Sequence, residues 1–394
     1  MEGALVGSSP RVRVSTPSAS SFAGCKGNLR FSRDRAGFVV GGGSRRSTPL
    51  RCERAEKDCS NERIVLSYKN DDIANSVEVK QWESGKSLNE IAANQGIRIR
   101  RSYRTNNSES LEGEHGSPRN ILEKIIWDKE VEVLQLKERK PLTVLNQLIK
   151  EAPLVRDFVG ALKASYERTG LPALIAEVKK ASPSKGVLRE NFDPVQIAQA
   201  YEKYGAACLS ILTDEKYFQG SFENLEAVRK AGIKCPLLCK EFIIDSLQIY
   251  YARSKGADAI LLIAGVLPDI DIKYMTMICR ELGLAALVEV HNEREMDRVL
   301  GINGIQLIGI NNRGLETFEV GISNTKKLLE GERGEIIRQR GIIVVGESGL
   351  FTPEDISYVQ DAGVRAVLVG ESLVKQCDPG RAISGLFVVQ NSNT

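Results

Sequence analysis

Charged and amide side chains stand at the ends of several short apolar runs in this sequence. Glu177 and Lys179 end one run, Lys240 ends another, and Glu289 and Asn311 end two more. A charge inside an otherwise apolar strand is costly to bury unless it is paired, so these side chains are expected to line a common polar mouth. A lysine and a glutamate that meet there shift each other's pKa, which is the basis of general acid–base catalysis.

The alternative interpretation is that each residue only forms an ion pair that ties adjacent strands together. It suits any single strand end, but six of the runs end in polar residues, with Arg313, Glu347 and Glu371 on the later ones. Alternation along a strand also places Glu177 and Lys179 on the same side. A shared catalytic site is therefore the better explanation.

A Gly-Glu-Ser tripeptide occurs twice, at 346–348 and 370–372. Glycines at the ends of consecutive strands allow backbone N–H groups and a short helix N-terminus to approach an anion. The sequence therefore predicts a phosphate site at the ends of these two strands. The alternative is a pair of tight strand-to-helix turns with no ligand.

Eight apolar runs alternate with amphipathic stretches from residue 173 onward. The runs cover 173–179, 207–213, 236–242, 258–264, 285–291, 304–311, 341–348 and 365–372. Continuous apolar runs are typical of parallel strands buried on both faces. Eight strand–helix units predict an α/β fold, a (β/α)8 TIM barrel, whose active site lies at the C-terminal ends of the strands. An open doubly wound sheet would normally carry a glycine-rich dinucleotide motif after its first strand, and residues 180–186 lack one.

Extra helices are predicted before the first strand. Ser117 and Pro118 form a helix-start signal, and apolar residues at helical spacing then predict a helix over 118–135. Further helices are expected from 142 to 150 and from 157 to 166. The third domain of the chain, 118–394, is thus predicted to be a barrel with an N-terminal helical extension.

Residues 1–52 carry nine basic, two acidic and nine serine residues. A leader rich in Ser and Arg, without a continuous apolar segment, is typical of a disordered organelle transit peptide; a basic tail is the alternative. Residues 53–117 are polar and are predicted to be a mostly disordered linker, with one short helix near 87–93. The basic stretch 96–104 is expected to be solvated rather than bound to an acidic face.

Composition excludes several classes of protein. The 394 residues have a formal charge of only +3, which does not favour nucleic-acid binding, and no uncharged apolar run reaches the roughly 18 residues of a membrane-spanning helix. The eight cysteines are not spaced for a zinc site with the two histidines, His115 and His291, so buried reduced thiols are expected.

The segments around these strand ends closely resemble the indole-3-glycerol phosphate synthase family of tryptophan biosynthesis. The matching segments are IAEVKKASPSKG (175–186), SILTDEKYFQGS (210–221), LLCKEFIID (237–245), ALVEVHNEREM (286–296), LIGINNRGLETFEV (307–320) and VVGESGLFTPEDI (344–356). The resemblance covers about 118–388. With the leader, it implies a plastid-targeted plant form in the chloroplast stroma.

The resemblance implies that 1-(2-carboxyphenylamino)-1-deoxyribulose 5-phosphate is closed to indole-3-glycerol phosphate, with loss of carbon dioxide and water. It implies Lys240 as the general acid of ring closure and Glu289 as the carboxylate that stabilises the cationic intermediate. Lys179 and Glu177 match the acid and base of the dehydration, although which lysine acts at each step stays open. Asn311 is expected to orient the substrate hydroxyls.

The resemblance also implies the substrate-binding residues. Ser182 and Arg313 match positions near the anthranilate carboxylate, Phe218 and Phe242 would wall the aromatic ring, and Glu347 would contact the substrate. Ser348, Gly349, Gly370 and Glu371 fall in the phosphate region, the last two through backbone N–H groups. Microbial relatives commonly have Ser at position 371, so the Glu371 carboxylate is predicted to point outward.

No metal or organic cofactor is implied, and the expected partner is a small phosphosugar, not nucleic acid or membrane. Transient contact with other tryptophan-pathway enzymes is left open. Two other functions compete with this interpretation. Phosphoribosylanthranilate isomerase is a related phosphosugar barrel, but its chemistry needs a Cys and Asp pair where this chain has Lys and Glu. A catalytically inactive barrel kept as a binding subunit is disfavoured by the complete set of candidate catalytic residues.

Overall fold

The structure is a computed structural model, and it describes residues 76–102, 117–314 and 319–387. The predicted transit peptide, 1–52, lies outside the described residues. So do residues 53–75 and 103–116 of the predicted linker. The following elements are those of the described part of the chain.

Eight parallel strands close into a barrel, as the sequence predicted. They are β1 (Ala173–Val178), β2 (Cys208–Leu212), β3 (Leu237–Lys240), β4 (Ala259–Ile263), β5 (Ala285–Val290), β6 (Leu307–Asn311), β7 (Ile343–Glu347) and β8 (Ala366–Val369). Each strand pairs with its sequence neighbours, and β1 pairs with both β2 and β8, which closes the sheet. A two-stranded antiparallel hairpin, Ala181–Ser182 with Gly186–Val187, follows β1.

Helices precede the barrel and connect its strands. They are α1 (Val77–Glu83), α2 (Leu88–Asn94), α3 (Ile121–Arg139), α4 (Leu142–Glu151), α5 (Phe158–Thr169), α6 (Pro194–Lys203), α7 (Glu215–Phe218), α8 (Phe222–Lys230), α9 (Ser246–Ser254), α10 (Asp269–Glu281), α11 (Glu293–Leu300), α12 (Ser323–Leu329), α13 (Glu332–Arg340), α14 (Pro353–Asp361), α15 (Glu371–Val374) and α16 (Pro379–Leu386). Side-chain caps begin many of them; Asp193, for example, accepts from two N–H groups of α6, which starts with a proline.

Alternate residues of the strands belong to two apolar clusters. Leu174 packs with the cluster that includes the surrounding helices, whereas Ile175 packs with Leu261 and Leu287 in the second cluster. Phe158 of α5 joins this second cluster and contacts the start of β2. Burial on both faces explains why the strands are continuous apolar runs, with polar residues only at their C-terminal ends.

The long N-terminal helix begins later than predicted. It starts at Ile121, because Asn120 caps it by accepting from the N–H of Glu123 at 2.8 Å. The prediction of a start at Ser117 and Pro118 is therefore wrong. The next two helices are confirmed, and Asp157 caps α5, which ends at a left-handed Gly170.

Residues 76–102 are ordered helix and extended chain, so the linker prediction is wrong for this part. The predicted short helix is confirmed as α2, capped by Ser87. The prediction that the basic stretch is solvated is also wrong, because Ile97 and Ile99 are buried in the second apolar cluster of the barrel. The prediction of a solvated stretch failed because the acidic partners of its arginines lie on a helix that is distant in sequence.

Those partners are two buried glutamates of α3. Arg100 pairs with Glu123 at 2.9 Å, Arg101 pairs with Glu130 at 2.6 Å, and Trp127 donates its indole N–H to the carbonyl of Arg100 at 2.7 Å. Burial opposes ionisation of Glu123, but its arginine partners hold the pKa of its carboxyl well below the usual range. The basic stretch thus binds an acidic face, the alternative that the sequence left open.

The described cysteines are reduced. Cys208, Cys235, Cys239 and Cys279 are buried thiols, as predicted, whereas Cys377 is exposed. Cys377 departs from the prediction because it lies in the turn between α15 and α16. Within the described ranges, every helix is too short or too polar to cross a bilayer.

Candidate active site

Every candidate site residue predicted from the sequence lines one cavity at the C-terminal ends of the barrel strands. These residues are Glu177, Lys179, Ser182, Phe218, Lys240, Phe242, Glu289, Asn311, Arg313, Glu347, Ser348, Gly349, Gly370 and Glu371. The barrel brings them together from seven strand ends and the segments that follow, over nearly two hundred residues of sequence. The expectation of a common polar mouth is confirmed, and both lysine side chains lie in it.

Lys240 lies between two carboxylates at the centre of the cavity. Its Nζ is 2.8 Å from Oε2 of Glu289 and 2.9 Å from Oε2 of Glu347. Burial opposes the charge on the amine, but the two carboxylates outweigh it and raise the pKa of Lys240. The amine is therefore held as an ammonium group between the two glutamates.

Glu177 and Lys179 form a second ion pair beside the first, as alternation along β1 predicted. The Glu177 side chain is only 4% exposed, and its charge also acts on Lys240. The cavity therefore holds two lysine amines and three glutamate carboxyl groups within one buried network. Such a network can supply both a proton donor and a proton acceptor to one ligand.

Asn311 and its neighbour Arg313 link this network to the rim. The Asn311 amide donates to Oε1 of Glu289 at 3.2 Å and accepts from the backbone N–H of Arg313 at 3.0 Å. Arg313 extends along the rim, where its guanidinium is partly exposed. The guanidinium is therefore available to an anionic group of a ligand.

Two glycines make room for the carboxylates, and sequence reasoning did not identify this role. A Cβ on Gly370 would collide with Oε2 of Glu177, and a Cβ on Gly309 would collide with Oε1 of Glu347. Gly309 was not predicted as a site residue. A glycine in the middle of an apolar strand is a sign of close approach and could have indicated it.

The cavity has an aromatic and an aliphatic wall. Phe218 ends α7 and Phe242 follows β3, with ring centroids 6.1 Å apart and tilted by 45°. Ile121, Leu122 and Ile125 of α3 also line the cavity. The resemblance predicted the aromatic pair, whereas the three α3 residues were not among the predicted site residues.

The rim beyond β7 and β8 has the backbone features of a predicted phosphate site. Ser348 has φ +63° and Gly349 has φ +77°. A left-handed serine is uncommon and costs of order 1 kcal/mol, and such residues cluster at functional sites. Gly370 precedes the short helix α15, so its neighbouring N–H groups lie at the same rim.

The prediction that Glu371 points outward is corrected by its contacts. The residue lines the rim, where its carboxylate accepts from Lys375 at 2.7 Å and lies 3.7 Å from Arg313. Burial opposes ionisation, but Lys375 in particular lowers the pKa of Glu371. The two cations neutralise the carboxylate, which reduces the repulsion that was expected for a bound phosphate.

His291 is a further residue that the sequence reasoning noted at a strand end but did not assign to the site. It lies behind Glu289, with Nε2 3.1 Å from Oε1 of that residue. In the part of the chain that the structure describes, no three His, Cys, Asp or Glu side chains are grouped so as to hold a metal ion.

Comparisons with known proteins agree with the resemblance. The family model described as indole-3-glycerol phosphate synthase matches residues 122–386. The chain is 56% identical to "Indole-3-glycerol phosphate synthase, chloroplastic" of Arabidopsis thaliana over the full length of both chains. It is 59% identical to "Indole-3-glycerol phosphate synthase" of Microcystis aeruginosa, over 68% of this chain and 90% of the relative. With the complete barrel site, these matches show that the chain belongs to the indole-3-glycerol phosphate synthase family.

Proposed function

We propose that this cavity closes 1-(2-carboxyphenylamino)-1-deoxyribulose 5-phosphate to indole-3-glycerol phosphate in tryptophan biosynthesis. The observation that carries the proposal is the position of Lys240 between two carboxylates, beside the Glu177–Lys179 pair and under an aromatic wall. Membership of the family supports the same reaction. One molecule of carbon dioxide and one of water leave for each ring closed.

The first chemical step is assigned to Lys240 and Glu289. The ring carbon that bears the carboxylate attacks the ketone carbon, a C–C bond forms, and the ketone oxygen takes a proton from the Lys240 ammonium. The ring then carries a positive charge, which the Glu289 carboxylate stabilises in a buried site of low dielectric. Loss of carbon dioxide returns the electron pair of the broken C–C bond to the ring.

The second step is a dehydration that uses the neighbouring pair. Lys179 protonates the departing hydroxyl, and Glu177 removes a proton from the newly closed ring, which forms the indole double bond and releases water. The two groups are in contact as an ion pair in the structure. A single-turnover experiment that accumulates the undehydrated intermediate in Lys179→Met, but not in Lys240→Met, tests this division of roles.

The remaining residues of the cavity are assigned to binding. Ser182 and Arg313 receive the anthranilate carboxylate, the Phe218 and Phe242 rings pack against the aromatic ring, and Asn311 and Glu347 contact the sugar portion. The phosphate is assigned to the rim formed by Ser348, Gly349, Gly370 and the N–H of Glu371. Positive φ angles at 348 and 349 and the neutralised Glu371 support this assignment.

The test is incubation of the purified protein with the carboxyphenylaminodeoxyribulose phosphate. We expect indole fluorescence and release of carbon dioxide, both abolished by Lys240→Met. Lys180→Met is the matched control, because Lys180 adjoins Lys179 in sequence but does not line the cavity. An isomerised sugar without carbon dioxide would indicate the isomerase instead, and binding without turnover would indicate an inactive barrel.

We also propose that residues 1–52 direct the protein to the chloroplast stroma. The acid-poor, Ser- and Arg-rich composition of the leader supports this location, as does the word "chloroplastic" in the name of the Arabidopsis relative. A fusion of residues 1–52 to a fluorescent protein should enter plastids, and a fusion without them should not. Transient contact with other enzymes of the pathway stays a prediction.

A further inference from the structure

His291 lies directly behind the central carboxylate Glu289 and is held from both sides of its ring. Its side chain is 7% exposed, Nε2 lies 3.1 Å from Oε1 of Glu289, and Nδ1 lies 3.0 Å from Oε2 of Glu295. Its backbone N–H donates to the same oxygen of Glu295 at 2.8 Å. The Nδ1 contact is a hydrogen bond, whereas Nε2 has no hydrogen-bond partner among the described residues and faces Glu289 as an ionic contact. With Nδ1 donating to Glu295, a neutral ring would turn the lone pair of Nε2 toward the Glu289 carboxylate, so the imidazolium is the form that suits this position.

The two carboxylates that share Lys240 differ in their remaining contacts. The second oxygen of Glu289 lies near His291 and accepts from the Asn311 amide at 3.2 Å. The second oxygen of Glu347 is buried and has no hydrogen-bond partner among the described residues. Glu289 thus faces both Lys240 and the His291 ring, whereas Glu347 pairs only with the shared lysine among the described residues.

We propose that His291 is a positioning residue that, as an imidazolium, keeps Glu289 ionised and fixed in orientation, and so makes Glu347 the carboxyl that carries the exchangeable proton. The proposal rests on the assignment of Glu289 as the carboxylate that stabilises the cationic intermediate. It adds to that assignment the reason why two glutamates beside one lysine act differently. His291 does not line the cavity and acts only through Glu289.

The electrostatics of the three groups agree with this arrangement. Burial disfavours a charged ring, but Glu289 and Glu295 raise the pKa of His291 to about 9. Burial likewise opposes ionisation of Glu289, but Lys240 and then His291 hold its pKa well below the usual range. For Glu347 burial prevails over Lys240, and the pKa rises to about 7. Environments that separate the pKa values of paired groups are typical of acid and base roles.

The charged groups around His291 belong to its own strand and the helix that follows. Glu289 faces the ring from β5 and Glu295 from α11. From the neighbouring elements, Asn311 of β6 contacts the same oxygen of Glu289, and Asn324 of α12 donates to the His291 carbonyl, and both are neutral. Beyond these groups, Glu289 pairs through its other oxygen with Lys240, which also pairs with Glu347.

A direct test measures the protonation of His291 by NMR, without reference to activity. The sequence holds two histidines, so tag-free protein gives two imidazole signals, and His115→Gln identifies the signal of His291. We expect His291 to stay protonated at pH 8 and to titrate near pH 9. In Glu289→Gln the midpoint should fall by about one unit or more, since an ionic partner has been removed. A midpoint near 6.5 in the unmodified protein, or no change in Glu289→Gln, would overturn the proposal even if the enzyme is active.

A second test links the ring to the reaction through the pH profile of kcat/KM. His291→Asn keeps a hydrogen-bond donor but removes the charge, so the pKa values of the nearby carboxylates should rise and the acidic limb should move up by about one unit. His115→Gln is the control and should leave the profile unchanged. An unshifted profile in active His291→Asn contradicts the proposal.

Glu295→Gln is the alternative variant for this test if His291→Asn does not fold. It removes one of the two carboxylates that stabilise the imidazolium, so the activity loss at high pH should begin about one unit lower. The acidic limb should change little, since His291 is still charged there. If the unmodified protein formed no indole at any pH while His291 titrated as expected, the result would count against the proposed reaction, not against the role of His291.

Discussion

At the scale of single residues, close approach between backbone and carboxylate sets the geometry of the site. Gly370→Ala would place a methyl group where Oε2 of Glu177 lies, so the carboxylate and its partner Lys179 must move. We expect kcat to fall roughly 100-fold, because a displacement of about 1 Å in a catalytic group has effects of this size. Gly385→Ala is the matched control, since a Cβ there meets no atom within 4 Å. Equal kinetics for the two variants would contradict this account.

The buried Glu347 carboxyl should make stability depend on pH. Burial raises its pKa from the usual value of 4.5 to about 7 in the folded protein. Between these values the folded chain binds more protons than the unfolded chain, so stability decreases as pH rises from about 5 to 7. Glu347→Gln lacks this titration.

The measurement is a pair of thermal melts, at pH 5 and at pH 8. The melting temperature of the unmodified protein should fall more than that of Glu347→Gln, by at least about 2 °C. Glu335→Gln, an exposed glutamate on α13, serves as the control and should follow the unmodified protein. The same fall in all three proteins would show that Glu347 does not titrate in this range.

Residue types at strand ends could be predicted from the sequence, whereas their environments could not. Lys240 and Glu289 are conspicuous because charge interrupts apolar runs, and that signal needs no structure. Gly309 and His291 are different, because their importance arises from atoms that approach from other strands or helices. The rim contact between Glu371 and Arg313 likewise depends on how two separate loops meet.

At the scale of elements, α3 connects the N-terminal extension to the loops that carry the site walls. Lys129 of α3 is 4% exposed, and its amine lies 2.8 Å from Asp214 and 3.0 Å from Glu241. Asp214 caps α7, which ends at Phe218, and Glu241 lies between Lys240 and Phe242. One buried ammonium group therefore holds the two segments that present the aromatic wall.

Lys129→Met should destabilise the protein strongly, because it leaves two buried carboxylates without their cation. Breaking a buried ion pair in this way costs about 3–5 kcal/mol, to be measured by urea unfolding. Lys124→Met is the control on the same helix, since Lys124 is exposed and should change stability by less than about 0.5 kcal/mol. We also expect an increased KM in Lys129→Met below its melting temperature; an unchanged KM would show that the walls do not depend on α3.

The strands and helices of the barrel could be predicted because their apolar residues recur with a clear period. The structure of the segment before α3 could not be predicted in this way. Its two helices have seven residues each, too short for a strong amphipathic pattern. Its stability comes from Arg100 and Arg101 on acidic partners more than twenty residues away in sequence. No local pattern in the stretch distinguishes a bound basic segment from a solvated one.

At the scale of the whole molecule, the barrel separates chemistry from stability at its two ends. The catalytic network lies at the C-terminal ends of the strands, and a buried cluster around Asp258 lies at the opposite end, before β4. The Asp258 carboxylate accepts from the N–H groups of Arg156 and Leu237 at 2.7 and 2.8 Å, and pairs with Arg229 at 2.9 Å. These contacts tie α8 and the chain before α5 to two strands.

Asp258→Asn should therefore reduce the stability of the protein and leave its activity intact. Removing the charge leaves the guanidinium of Arg229, whose side chain is 3% exposed, without its ionic partner, and we expect a loss of about 3–5 kcal/mol in the free energy of unfolding. Below the melting temperature kcat should stay within about twofold of the unmodified value, because the cluster is at the far end of the barrel from the site. Lys240→Met, at the other end of the barrel, should abolish activity. A large fall in kcat for folded Asp258→Asn would show that the two ends of the barrel are coupled, and that its architecture does not separate them.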